Sequence, residues 1–350
     1  MPVNEARLNE FMGKAVTDLG AAVSAVLVSI GDELGLYKAL AGESLTAGEL
    51  AARTGTNERY VREWASNQAA GGYVEYDTAT KKFSLTPEQA LCLADPNGPV
   101  DVPGAYSIVR DLFHIRDQAL QNFRTGKGME WGEHHQCLFH GTERFFRASY
   151  NANLLTSWLP ALDGVVEKLQ KGAKVADVGC GHGASTILMA KAFPKSTFVG
   201  FDYHDKSIET ARQRAAAAGA ANASFEVGDA SSYDGGPYDL IAFFDCIHDM
   251  ADPAGAAGHA RKALKADGHA LVVEPMAGDR LEQNLNPVGR VYFGASTMVC
   301  VPVSMAKKGP ALGAQAGEQR LREVFVDQGG FKRFRRATET PFNMILEARP

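Results

Sequence analysis

The chain has 350 residues, 45% of them hydrophobic and 22% charged, with a net charge of −5. This composition excludes disorder throughout, and a net negative charge leaves no overall attraction to nucleic acid or to an anionic membrane. Five scattered cysteines with no C-x-x-C pair point to neither a disulfide framework nor a zinc ribbon, so about two domains in a reducing cytoplasm are expected.

No basic region followed by an apolar core and a small-residue cleavage site opens the sequence, so no signal peptide is expected. Leu8, Phe11, Ala15 and Leu19 recur at helical spacing, and the apolar run continues to Leu40, giving one or two long helices. The apolar face is too wide for a lone helix and is expected to pack against a second subunit, making a homodimer. Residues 21–30, bracketed by Asp18 and Asp32, fall short of the ~20 apolar residues that span a bilayer and predict a buried helix.

Thr46 with Glu49 forms a capping box that opens a short helix to Arg53. Gly55 turns the chain into a second helix over 57–70, and 73–76 with 82–85 predict a hairpin. Helix, turn, helix and hairpin make a winged helix. DNA binding by its second helix is the sharper reading, but Glu58, Arg59, Arg62 and Glu63 cancel in charge, so a dimerisation scaffold is preferred.

Pro96, Gly98, Pro99 and Pro103 mark a linker, which places the first domain at 1–99 and a helical segment at 100–165. Within that segment Trp131, His134, His135, Cys137 and His140 offer zinc-type ligands, yet at a spacing that matches no common site. No metal is expected. Trp131, His134, His135, Phe146 and Tyr150 are instead candidates to line or cover a substrate cleft.

The third domain, 166–350, is organised around K-V-A-D-V-G-C-G-H-G at 174–183, a buried strand turning sharply into a helix. Gly179, Gly181 and Gly183 allow positive φ and let a ligand lie on bare backbone. The spacing also satisfies the dinucleotide pattern, which would suit a nicotinamide oxidoreductase. Asp177 opposes that reading, because a carboxylate at the strand end repels pyrophosphate and welcomes a cation. A second strand ends at Asp202, 23 residues past Gly179, and a third runs into Gly228-Asp229.

With these residues the region resembles the class I S-adenosylmethionine-dependent methyltransferases, whose D-x-G-x-G-x-G, strand-end acid and later G-D are matched by Asp177, Gly179, Gly181, Gly183, Asp202 and Asp229. The resemblance implies S-adenosylmethionine as cofactor and a Rossmann-like, doubly wound α/β sheet with an antiparallel last strand, beside the mainly helical winged-helix domain. The N-terminal region resembles that of small-molecule O-methyltransferases of plants and bacteria, which use the winged helix to dimerise. Asp177 and the glycines would hold the methionine end, Asp202 the ribose and Asp229 the adenine, with Asp245 a further cofactor-side acid.

Further strands are expected over 238–244 and 269–273, helices over 207–218, 253–265 and 318–328, and terminal strands over 331–336 and 342–348. Residues 280–317, with Tyr292 and Met298 as candidate substrate contacts, are expected to form an irregular insertion. Lys332, Arg333, Arg335 and Arg336 alternate with Phe331 and Phe334, a pattern explained by one solvated strand face without an RNA partner.

The fourth strand runs into Asp245-Cys246-Ile247-His248-Asp249, followed by Asp252. O-methyltransferases carry H-D-x-x-D there, which implies His248 as general base, with Glu274 orienting its ring. An imidazole with pKa ~6.5 can take the proton of a hydroxyl that is a poor nucleophile at neutral pH. Met250-Ala251 stand where many of these enzymes have Trp-Ser, and Glu318 is a weak candidate for a second acid. The expected activity is methylation of a small aromatic or phenolic hydroxyl. Two alternatives stay open, namely an N-, C- or S-methyltransferase of the same fold and a ligand-sensing transcriptional regulator.

Overall fold

In the computed structural model, which describes residues 2–350, the chain gathers into two bodies. One takes the chain to His114 and adds His135–Ser149; the other holds Ile115–His134 and Tyr150–Pro350. The segment expected over 100–165 is therefore not a body of its own, since its residues are divided between these two.

The first body begins with α1 (Glu5–Glu33), capped by Asn4, whose side chain accepts from the Arg7 amide. Gly35, in the left-handed region at φ 70°, ends the turn before α2 (Leu36–Leu40). The Thr46 capping box opens α3 (Ala47–Thr54), Gly55 at φ 65° closes it, and Asn57 caps α4 (Glu58–Ala70). The wing is β1 (Glu75–Asp77) paired antiparallel with β2 (Lys82–Ser84), a shorter hairpin than expected. Val28, Leu36, Tyr37, Leu50, Trp64 and Phe83 share the core of this body. The Trp64 indole donates to the Leu27 carbonyl at 2.8 Å, and a Cβ on Gly31 would lie 2.5 Å from that ring, so α1 docks here by close contact.

The expectation that 21–30 is buried is corrected. Only Ala25, Val28, Ser29 and Gly31 of α1 are buried, whereas Leu19, Val23, Val26 and Ile30 are exposed. α1 is one unbroken helix, and by length and composition it is apolar enough to cross a membrane. Its exposed residues Met12, Val16, Leu19, Val23, Val26 and Ile30 alternate steps of four and three, the spacing of a coiled-coil seam. A helix with two apolar faces defeats the inference from hydrophobicity to burial.

The second body holds a seven-stranded sheet of order β5-β4-β3-β6-β7-β9-β8. Its strands are β3 (Lys174–Val178), β4 (Thr197–Asp202), β5 (Ala223–Val227), β6 (Tyr238–Phe244), β7 (Leu264–Pro275), β8 (Arg333–Glu339) and β9 (Asn343–Arg349). The pairs among β3 to β7 are parallel, while β9 runs antiparallel between β7 and β8. β3 and β6 are central and nearly uniformly apolar, as strands covered on both faces must be. The order reverses between β3 and β6, and in such sheets the crevice at the carboxyl ends of those two strands is where ligands bind.

Residues 280–317 also require correction. They are largely helical, with Leu281–Asn284, Pro287–Ala295, a wide π turn Ser296–Cys300, and Val301–Ala306. Asn286 caps the helix that Pro287 opens, a start signal that the glycines and Pro302 obscured. On the terminal strands Phe331 is buried, Arg335 pairs with Glu347 and Arg336 with Glu318 and Glu339, which accounts for the basic and aromatic alternation within the fold.

Candidate functional site

The turn after β3 is pinned from below. The amides of Gly179 and Cys180 donate to the Phe201 carbonyl at 2.7 and 3.0 Å, and the Gly181 amide donates to Asp202 Oδ2 at 2.9 Å. All three glycines lie at positive φ, 77°, 52° and 77°. They serve different ends. A Cβ on Gly183 would meet the Phe225 ring at 2.6 Å and one on Gly179 the Cys246 sulfur at 2.9 Å, so those two are demanded by packing. A Cβ on Gly181 would meet nothing within 4 Å, so the chain leaves open space against its bare backbone there.

Asp177 is 1% exposed. Its Oδ2 accepts from the hydroxyls of Ser185 and Thr186, both at 2.6 Å, tying the strand to the first turn of the helix Ala184–Ala192. Oδ1 is buried with no protein partner. Burial, opposed by those two hydroxyls and reinforced by Asp202, lifts its pKa to about 6. Asp202, at the end of β4, is raised by burial as well, and its Oδ1 accepts from the His204 amide. Asp229 is exposed, with Oδ1 accepting from the Ser231 amide and hydroxyl.

The β6 end supplies a second cluster. Asp245 stands at φ 51°, a left-handed conformation that costs a non-glycine residue roughly 1–3 kcal/mol and turns the chain toward His248. Asn343 donates to its Oδ1 at 2.7 Å, and its Oδ2 is buried without a partner. Burial and the nearby Glu274 carboxylate push Asp245 well above the carboxylate range, and burial raises Asp249 to about 7.

His248 is 5% exposed. Its Nδ1 donates to Glu274 Oε2 at 2.6 Å, and Glu274 Oε1 accepts from the Ile247 amide at 2.9 Å. Glu274, 1% exposed at the end of β7, thus fixes both the ring and the backbone that carries it. Burial disfavours the imidazolium, but the Glu274 carboxylate outweighs it, and the His248 pKa stands well above the usual imidazole value. A ring so placed holds a proton firmly once it has one.

The other candidates divide. Tyr150 is buried against Trp158 and Phe244, Trp131 lies 6.2 Å from the His134 ring, and the buried Tyr292 donates its hydroxyl to the Phe342 carbonyl. These residues and Met298 belong to the second body, whereas His135 and Phe146 belong to the first. His135 stacks on His114 with centroids 4.6 Å apart, and its Nδ1 is 3.1 Å from the Cys137 sulfur. Glu318 pairs with Arg336. Among the described residues no three metal-ligating side chains converge. Asn343 escaped the sequence reading: no local pattern says that a terminal strand reaches the β6 loop.

S-adenosylmethionine fits these residues on two observations: the orphaned Asp177 oxygen suits a buried cationic group, and the open backbone at Gly181 admits a flat ligand. Five acids, Asp177, Asp202, Asp245, Asp249 and Glu274, sit at adjoining strand ends, and among the described residues none of them pairs with a lysine or arginine. A cation bound beside them favours their ionised forms, whereas a pyrophosphate would oppose them.

Comparison with known proteins agrees. Residues 169–329 match a methyltransferase domain family and residues 22–95 the Rv2258c-like winged helix-turn-helix domain. A ubiquinone biosynthesis O-methyltransferase of Neisseria meningitidis is 33% identical over 103 residues, which are 28% of this chain and 42% of that protein. A polyketide synthase of Burkholderia thailandensis is 29% identical over 116 residues, 33% of this chain and 6% of that protein. The chain thus spans less than half the length of these curated relatives. Among solved structures, the mitomycin 7-O-methyltransferase superposes with a TM-score of 0.70 at 19% identity, covering 99% of this chain and 100% of that one. Human N-acetylserotonin methyltransferase gives 0.71 at 15% identity, covering 100% and 99%. At these identities the likeness speaks for the fold.

Proposed function

We propose that this chain, a class I S-adenosylmethionine-dependent methyltransferase domain preceded by a winged helix-turn-helix domain, methylates a hydroxyl of a small, aromatic or phenolic acceptor. The observation that carries this is the buried His248–Glu274 pair beside the glycine turn at the switch point of the sheet. When bound, S-adenosylmethionine supplies an electrophilic methyl group on a positively charged sulfur. Asp177 and the Gly181 backbone bind its methionine end, Asp202 its ribose and Asp229 its adenine, with Asp245 a further acid on the cofactor side. His248, in its neutral form, accepts the acceptor's proton, and Glu274 holds the resulting imidazolium. Alignment in a dry pocket provides the rest of the rate. Trp131, His134, Tyr150, Tyr292 and Met298, all of the second body, are assigned to acceptor binding.

The chain acts as a homodimer, a reading supported by the seam of α1, whose four-three spacing suits a second copy of the same helix. Regulation of DNA is disfavoured because Arg59 pairs with Glu63 and Arg62 with Glu58, which neutralises the helix that would read a groove. Five free cysteines support a reducing, cytoplasmic setting.

The test is a panel of phenols, matched thiophenols and anilines incubated with methyl-labelled S-adenosylmethionine. Label transferred to phenolic oxygen, and lost in His248→Ala, supports the reading. Transfer to sulfur or nitrogen only, or an unchanged rate on the phenol in His248→Ala, contradicts it.

A further inference from the structure

The carboxyl of Asp245 is held as a ligand contact would be. Its amide donates to the Val273 carbonyl at 2.7 Å, which continues the β6–β7 ladder one step past Phe244 and sets Asp245 beside Glu274. Its φ of 51° is a conformation that glycine takes without strain and a β-carbon resists, yet the chain carries an aspartate there. Oδ1 accepts from Asn343 Nδ2 at 2.7 Å, and the same Nδ2 lies 3.4 Å from the Glu274 carbonyl oxygen. Asn343, 1% exposed on β9, thus fastens the carboxyl to the residue that orients His248. Oδ2 is buried with no partner. The Tyr292 hydroxyl, on the helix Pro287–Ala295, is committed to the Phe342 carbonyl and does not fill that place.

The links of Asp245 run to β7 and β9, the side of the loop that carries Glu274 and the base, and among the described residues none runs to the glycine turn, Asp177 or Asp202. Its protonation follows from the same neighbours. Adjacent strands lie about 4.8 Å apart, and two carboxyls so close in a buried site do not both ionise. Glu274 is committed to charge by two donors, the Ile247 amide and His248 Nδ1, so it is Asp245 that keeps a proton. Asn343 donates to Oδ1, which leaves that proton on Oδ2. Burial and Glu274, with Asp249 beyond, favour the neutral carboxyl over the opposing pull of His248 and Asn343. Oδ2 is a buried donor with nothing to donate to.

We propose that Asp245 Oδ2–H recognises the acceptor, and that it meets a conjugated carbonyl oxygen ortho to the hydroxyl being methylated. This rests on the reading that the nucleophile is a hydroxyl. Glu274 anchors both groups, the imidazole by its carboxylate and Asp245 by its carbonyl through Asn343, so base and donor serve neighbouring oxygens of one ring. In the step, the acceptor oxygen bonds to the methyl carbon as the carbon–sulfur bond breaks with its electron pair on the departing thioether, and the hydroxyl proton goes to His248. The Asp245 proton is not transferred. It stays on Oδ2 and meets the charge that conjugation spreads onto the carbonyl oxygen.

Two measurements on the full-length protein test this. The first needs no acceptor: the C=O stretch of a protonated carboxyl, isolated as the infrared difference between wild type and Asp245→Asn with S-adenosylmethionine bound, is expected at neutral pH, and its absence overturns the proposal. The second compares ortho-hydroxyacetophenone with ortho-isopropenylphenol, which has the same shape without the carbonyl. Wild type is expected to favour the ketone by at least about tenfold in kcat/KM. Asp245→Asn keeps an N–H donor at that place and retains a preference. Asp245→Gly, which suits φ 51° and so tolerates the fold, brings the ratio near one with S-adenosylhomocysteine affinity held. Equal rates on the two phenols in wild type, or a preference that survives in Asp245→Gly, overturns the proposal. So does a fall in S-adenosylhomocysteine affinity in Asp245→Gly, which would make the carboxyl a cofactor contact, or an Asp245→Asn ratio as low as that of Asp245→Gly. If labelled methyl reaches only sulfur or nitrogen acceptors, the hydroxyl reading fails, and the infrared band alone still decides whether Asp245 is a donor.

Discussion

Replacing Glu274 by Gln changes one atom in the site, and its consequence follows from the hydrogen bonds. Glu274 Oε1 accepts from the Ile247 amide and Oε2 from His248 Nδ1. A glutamine can accept at only one of these places. If its oxygen stays on the Ile247 amide, its NH₂ confronts Nδ1, which must then present a lone pair, so the ring proton moves to Nε2 and the base is lost. If the amide flips, two N–H groups oppose each other at Ile247 in a buried site, which costs roughly 1–3 kcal/mol. The first arrangement is favoured. Loss of general-base catalysis is worth roughly 10²–10⁴ in rate, or about 3–5 kcal/mol of barrier at 1.36 kcal/mol per decade. The assay is kcat and KM on the phenol found in the acceptor panel, with S-adenosylhomocysteine affinity as the folding control and the tautomer read from ¹⁵N chemical shifts of the imidazole. A kcat within about threefold of wild type, with the proton still on Nδ1, would mean that Glu274 does not set the His248 tautomer.

The glycines of the turn separate fold from function. Gly183→Ala, forced against Phe225 at positive φ, is expected to lower stability by about 1–3 kcal/mol, read as thermal denaturation. Gly181→Ala has open space around its Cβ, so it is expected to keep most of the stability, at a backbone cost of about 1–2 kcal/mol, yet lose S-adenosylhomocysteine binding in calorimetry. Because Asp177 is raised to about 6 in the free protein, acid neutralises it. A cationic ammonium needs it ionised, so affinity is full above pH 6 and lost below. Between pH 7 and pH 5 the loss is about tenfold, ~1.4 kcal/mol, and a flat profile by calorimetry would remove Asp177 from the ligand. Val16→Glu with Val23→Glu in α1 is expected to convert a dimer to a monomer in sedimentation; an unchanged mass would remove the seam from the interface.

The parallel strands were legible because each runs to a chemical landmark: β3 to the glycine turn, β4 to Asp202, β6 to His248. Near-continuous apolar runs bounded by such residues leave few alternatives. The helix Pro287–Ala295 and the turn that follows it were not legible, since Gly294, Thr297 and Pro302 each argue locally against a helix, and tertiary contacts such as Tyr292 to Phe342 override them. α1 misled in the other direction, because its two apolar faces read as one buried one. In the site, His248 and Glu274 could be named from motif and strand order. The Asn343 contact arises only when a segment 98 residues away in sequence from Asp245 folds back onto the β6 loop.

The central claim is that the turn at 179–183, with Asp177 beneath it, receives the sulfur cofactor and not a pyrophosphate. Titration of the full chain with S-adenosylhomocysteine and, separately, with NADH tests it most directly. One S-adenosylhomocysteine is expected to bind per chain, with binding abolished in Gly181→Ala and no heat from NADH. Saturable NADH binding with none of the thioether would contradict it.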